Sequence, residues 1–250
     1  ADLMIGDGFL VALKTMLIKP TSYHLWFFYA LIGLYVLTPI LRHWVLNVSE
    51  REIYFFVFIW FVLGPCLQAA KYFYGISISP SIDYSLSSNI IFTSLGYFLL
   101  GNLLGRREKR YKKDQILGAT FLYLAISLLT AFGTLVLTGM ASKVDVILYD
   151  IYLPHNVLAT ASLFVVLKSA GEKIFSSAHP LLMTIIRIVS SATFGVYLIH
   201  VMILESLADG MLGFKVSATR LLYPSYQIPV YYGIPITIGA TFLISFIIVC

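Results

Sequence analysis

The residues of this chain whose types and spacing could do chemistry lie inside its apolar stretches, and one set runs from His24 to Arg42. At about 100° per residue on a helix, Phe28, Leu31, Tyr35, Thr38 and Arg42 all fall within about 40° of His24. One face thus carries a base, a phenol, a hydroxyl and a guanidinium. An ionisable group inside a bilayer costs about 2.5–3.5 kcal/mol on insertion scales, so such groups usually face a bundle interior or a water-filled cavity. The same residues also have ordinary uses: His24 and Trp26 in an outer aromatic belt, and Arg42 reaching the inner head groups. Pro39 can kink the helix and turn Arg42 off the shared line.

A second set lies between Ile185 and Glu205, where Thr193, Tyr197 and His200 fall within about 60° of one another while Arg187 and Glu205 lie off that face. Histidine is the side chain best suited to proton transfer near neutral pH, and a neighbouring tyrosine can orient it by hydrogen bonding. A packed histidine donating to a neighbouring helix gives the same pattern. The spans contain no phosphate-cradling loop, no HExxH, no GxSxG and no paired carboxylates of the kind a proton-driven transporter uses. With two cysteines, Cys66 inside an apolar stretch and Cys250 at the end, neither a disulfide framework nor a metal site is expected. Histidine, tyrosine and arginine are left to carry any reaction.

The elements that position these residues must cross lipid. Of 250 residues 59% are hydrophobic and 12% charged, with a mean hydropathy of +0.89, whereas a soluble domain carries about twice that charged fraction. Seven stretches approach the roughly 20 apolar residues that span hydrocarbon: 24–44, 53–70, 88–105, 116–139, 154–168, 182–204 and 229–250. Such unalternating runs satisfy their backbone as helices and not as barrel strands, so the expected fold class is all-α, a polytopic transmembrane helical bundle in a single domain over 1–250. The spacing Gly101 to Gly105, with Gly96, predicts close packing of the third helix.

The formal charge of +5 does not indicate nucleic acid, because its one dense basic run, Arg106 to Lys113, lies between two apolar stretches and reads as a cytoplasmic anchor. Arg42, Arg51, that run, Lys168, Lys173 and Arg187 fall on one side; Lys14, Lys19, Lys71, Lys143, Lys215 and Arg220 fall on the other. The richer side is cytoplasmic by the positive-inside rule, so the helix that follows His24 runs inward. An odd number of helices is then expected before Ala1, and the chain reads as a fragment open at both ends.

The run from Tyr23 to Arg42, with its His-Leu-Trp-Phe-Phe opening and Tyr-Val-Leu-Thr-Pro-Ile-Leu continuation, resembles the acyltransferase-3 family. The stretch from Ser190 to His200 is similar to that family's late Gly-x-Tyr-Leu-x-His signature, and Gly96 to Gly101 also fits. The resemblance implies about ten helices, seven of them visible here, with a principal catalytic histidine on a helix preceding Ala1. It implies transfer of an acetyl or similar acyl group from acyl-coenzyme A to a hydroxyl of a cell-surface polysaccharide or lipid-linked sugar, in a bacterial cytoplasmic membrane. His24 and His200 are the expected catalytic residues, with Trp26, Tyr29, Tyr35, Tyr197 and Arg42 as substrate-binding residues and no metal. The alternative is a secondary transporter or flippase lining a cavity with the same residues, although no internal repeat of the kind such folds carry is found.

Overall fold

The computed structural model describes residues 25–77, 90–106, 110–140, 145–177, 179–209, 222–223, 226–227 and 230–250. Among them seven helices coincide with the seven apolar stretches: α1 Trp26–Asn47, α2 Glu50–Tyr74, α3 Ile90–Arg106, α4 Lys113–Met140, α5 Pro154–Ser177, α6 Pro180–Asp209 and α7 Val230–Val249. The fold is an all-α membrane bundle. Helices α1, α2, α4 and α6 are long and apolar enough to cross a bilayer. A two-residue antiparallel pairing, Leu222 with Gln227 and Tyr223 with Tyr226, is the one strand contact described. Helix α5 runs on to Ser177, past the apolar stretch that ends at Lys168; the added residues include Glu172 and Lys173, which favour helix as well as they favour water.

The described residues fall into two compact units, Phe27–Ser176 and the unit containing Ser177–Cys250. In the first, α1 and α2 are joined by a tight turn at Ser49, where Glu52 Oε2 accepts from the Ser49 N–H at 2.8 Å and from its hydroxyl at 2.9 Å. This reach back to the start of the helix occupies a donor that would otherwise have no helical partner. Beyond the turn a core of Val45, Ile53, Leu99 and Leu103 forms, flanked by Trp44, Phe56 and Leu95. The Trp44 and Phe56 rings meet edge to face at 5.8 Å.

Lipid tails are as apolar as leucine, so these contacts gain from close fit more than from leaving water. The tightest fit is at Gly96, where a Cβ would lie 1.9 Å from Trp60 Cε2. Trp60 is 1% exposed and holds Tyr97 edge-on at 5.3 Å. The Gly101 to Gly105 spacing is not where the helices close: Gly101 has open space around its Cα, and Gly105 meets only Phe164 at 3.9 Å. Close approach depends on what the partner helix presents, and α2 presents its indole at Gly96.

Helix α2 is interrupted by a π-helical turn, Val62–Cys66. Pro65 has no N–H to give the preceding turn, and the wider turn accommodates its ring. The helix stops at Gly75, whose φ of +65° only glycine adopts freely; its N–H donates to Lys71 O at 3.1 Å and the Ile76 N–H to Ala70 O at 3.3 Å.

The second unit pairs α6 with α7 along their length. A Cβ on Gly195 would sit 2.6 Å from Val249 Cγ1. On α7 the buried residues Gly233, Thr237, Thr241 and Ser245 recur every fourth position, the ridge spacing that lets helices interlock.

Candidate functional site

His200 lies two turns from the end of α6, half-buried, with Tyr197 one turn before it. Their rings are 5.7 Å apart and tilted by 35°. His200 Nδ1 lies 2.5 Å from the Tyr197 carbonyl oxygen. A carbonyl only accepts, so Nδ1 carries the proton, and in the neutral ring the basic lone pair is on Nε2. In that tautomer Nε2 is the nitrogen able to take a proton. Thr193, on the same face, gives its hydroxyl to Val189 O at 2.9 Å. Arg187 and Glu205 are both exposed.

His24 lies outside the described residues. Trp26 opens α1 and is 40% exposed; Tyr29 is half-buried with its ring edge-on to Phe28 at 6.3 Å. The packed face of α1 is marked by Ala30 and Val45, and by Gly33, where a Cβ would meet Ile91 Cγ1 at 3.3 Å. Tyr35 is turned away from that face and is 68% exposed. Thr38 closes on its own helix, donating to Leu34 O at 2.7 Å.

Thr38 and Arg42 are the residues of this set that line a cavity. A space of about 400 Å³ is lined by Thr38, Arg42, Phe98, Asn102 and Arg106, at the helix ends that the loop charges assign to the cytoplasm. Arg106 donates from Nη2 to Val45 O at 2.7 Å, tying the end of α3 to the end of α1. A guanidinium has five N–H donors, so this bond leaves it capacity for others. The Asn102 amide oxygen is buried without a hydrogen-bond partner, and a half-turn of that amide would present its NH₂ instead. Two guanidiniums and an amide around one space are donors of the kind that phosphate or carboxylate oxygens accept from. Nearby, Lys168 Nζ donates to Gly105 O at 2.8 Å and Leu104 O at 3.2 Å, satisfying carbonyls at the end of α3.

A family model described as an acyltransferase domain, Acyl_transf_3, matches residues 4–250. The chain belongs to the acyltransferase-3 family. As an acyltransferase-3 protein with several apolar spanning helices it is an integral membrane acyltransferase. No curated protein and no solved structure matches it.

Within this acyltransferase-3 chain the structure brings Tyr197 to His200 on one unit and gathers Arg42 with Asn102 and Arg106 on the other; each set stands on its own unit. Asn102 was not expected to act, whereas Arg106 opens the basic run that lies, with Arg42, on the side where coenzyme A would approach. The sequence signal for them is their spacing of four on α3, which puts a buried amide and a guanidinium on one face. Among the described residues no group of three or more His, Cys, Asp or Glu is placed to hold a metal ion.

Proposed function

We propose that this acyltransferase-3 domain, spanning residues 1–250, moves an acetyl or similar acyl group from acyl-coenzyme A to a hydroxyl of a cell-surface polysaccharide or lipid-linked sugar, in a bacterial cytoplasmic membrane. The acyltransferase match over residues 4–250 carries this reading. His200 is proposed as a base, with its Nε2 lone pair taking the proton of the acceptor hydroxyl as that oxygen attacks the thioester carbonyl carbon. The tetrahedral oxyanion then collapses, the C–S bond breaks, and the coenzyme thiolate leaves and takes up the proton. His24, which opens the same run as Arg42, is proposed as the second catalytic histidine. Arg42, with Arg106 and Asn102 beside it, is proposed to hold the phosphates of the donor. Trp26, Tyr29, Tyr35 and Tyr197 offer aromatic faces and hydroxyls to a sugar or to the acyl group.

The test is release of coenzyme A thiol from acetyl-coenzyme A by the protein in lipid nanodiscs, with and without envelope oligosaccharide from its source. Acceptor-dependent thiol release that falls about 100-fold or more in His200→Ala, with unchanged membrane accumulation, is expected. Oligosaccharide carried across sealed vesicles with no thiol release would make the protein a transporter instead.

A further inference from the structure

The π turn in α2 has a consequence on the outer side of the first unit. After it come Gln68 and Tyr72, one turn apart on one face. Gln68 is 5% exposed, and its amide oxygen has no hydrogen-bond partner. A carboxamide oxygen can only accept, and the helical N–H groups around it are engaged in the helix. The Gln68 side chain reaches the Tyr72 hydroxyl, and that hydroxyl meets Asp150 Oδ2 at 3.5 Å, the long limit of a hydrogen bond.

Anchoring of the loop before α5 does not account for Gln68 or for Asp150 Oδ2. That loop is fixed by other bonds: Tyr97 donates to Ile151 O at 2.6 Å, Asn156 Nδ2 to Leu148 O and Asp150 O at 2.8 Å, and the Tyr152 N–H to Asp150 Oδ1 at 2.9 Å. No described cation pairs with Asp150. The fold therefore holds a carboxylate oxygen and a buried amide oxygen in fixed places with acceptor capacity to spare. A ligand that completes them must bring donors. Tyr72 and Tyr74, 46% and 80% exposed, add aromatic faces at the same helix end, and an aromatic face with nearby acceptors suits the apolar face and hydroxyl edge of a pyranose better than it suits a phosphate.

We propose that Gln68 and Asp150, with Tyr72 between them, form an outward-facing site for the hydroxyls of an uncharged sugar ring. The site deepens the proposed function by giving the acceptor a place to dock, and it rests on that reading for the identity of the sugar as acceptor.

The test is saturation-transfer NMR on the protein in lipid nanodiscs, with methyl β-D-glucopyranoside as probe. Saturation of the ring protons is expected in the wild type, reduced about fivefold to tenfold in Gln68→Leu and in Asp150→Asn, as for loss of a hydrogen bond to ligand. Asp150 also holds its loop, so Gln68→Leu decides: it removes the buried unpartnered amide oxygen together with the contact to Tyr72, and leaves the loop bonds intact. Its thermal midpoint should stay close to the wild type's, the lost contact to Tyr72 being offset by removal of the unpartnered oxygen, while sugar binding falls; a purely structural glutamine would lose stability and leave binding alone. Undiminished saturation in Gln68→Leu, no saturation in the wild type, or displacement of the probe by tetramethylammonium would overturn the proposal. Sugar saturation that depends on Gln68 without any thiol release from acetyl-coenzyme A would sink the transfer reading alone. Transfer whose acceptor KM is unchanged in Gln68→Leu would sink the sugar site alone.

Discussion

A guanidinium at the inner end of a membrane helix can serve lipid head groups or a bound anion, and the two uses respond differently to substitution. Arg42 lines a cavity shared with Asn102 and Arg106, so its loss should act on the donor's phosphates. Arg42→Ala should raise KM for acetyl-coenzyme A about 10- to 100-fold, the range for one charge-assisted hydrogen bond, with kcat little changed. The same variant assayed with acetyl-pantetheine, which has no phosphates, should match wild type; an equal loss with both donors would return Arg42 to a head-group role. At this scale the sequence was informative about pairs on one helix and silent about pairs between helices. Tyr197 and His200 are three residues apart, and their proximity follows from helical pitch alone. The helical pattern also put Tyr35 in line with Arg42, but the packing of α1 is set by Ala30, Gly33 and Val45, and Tyr35 faces away from it. Asn102 and Arg106 joined Arg42 only because the ends of α1 and α3 meet at Val45, which no single-helix pattern encodes.

Between helices, the decisive contacts are glycines facing large side chains. Gly96→Ala would put a methyl group into the Trp60 indole, and overpacking of this kind costs about 1–3 kcal/mol. A fall of several degrees in the thermal midpoint in detergent is expected, partly restored by adding Trp60→Leu. Gly101→Ala, with open space around it, should move the midpoint by less than about 0.5 kcal/mol equivalent. A larger loss at Gly101 than at Gly96 would contradict the packing described. In the second unit Gly195→Ala should likewise destabilise, and Val249→Ala should rescue it, because the clash is with the valine methyl groups. All seven helices were legible from apolar run length, since lipid imposes that length directly. Which glycine packs was not, because small-residue spacing shows where helices can approach and not what the neighbour offers.

For the molecule as a whole the charge balance predicts a direction, with the basic loops inside. Val146 is 59% exposed in the loop before α5, and Lys112 is exposed just before α4. With Cys66 and Cys250 replaced by serine, Val146→Cys should react with an impermeant maleimide on intact cells, and Lys112→Cys only after permeabilisation; the reverse pattern would invert the topology. The π turn at Val62–Cys66 adds a consequence for chain length. A helix turns about 100° per residue, and the wide turn takes up one residue of slack, so the two halves of α2 are indexed separately. The inner half is keyed to the core at Ile53, and the outer half to Tyr72 and Asp150. A chain that lost a single residue from this turn would close it to ordinary helical pitch and keep both halves near their present faces, whereas one that lost a residue from a regular stretch of helix would swing everything beyond by about a quarter-turn. Length variation by one residue at that point would therefore be absorbed where it occurs, leaving the inner packing and the outer surface both in register.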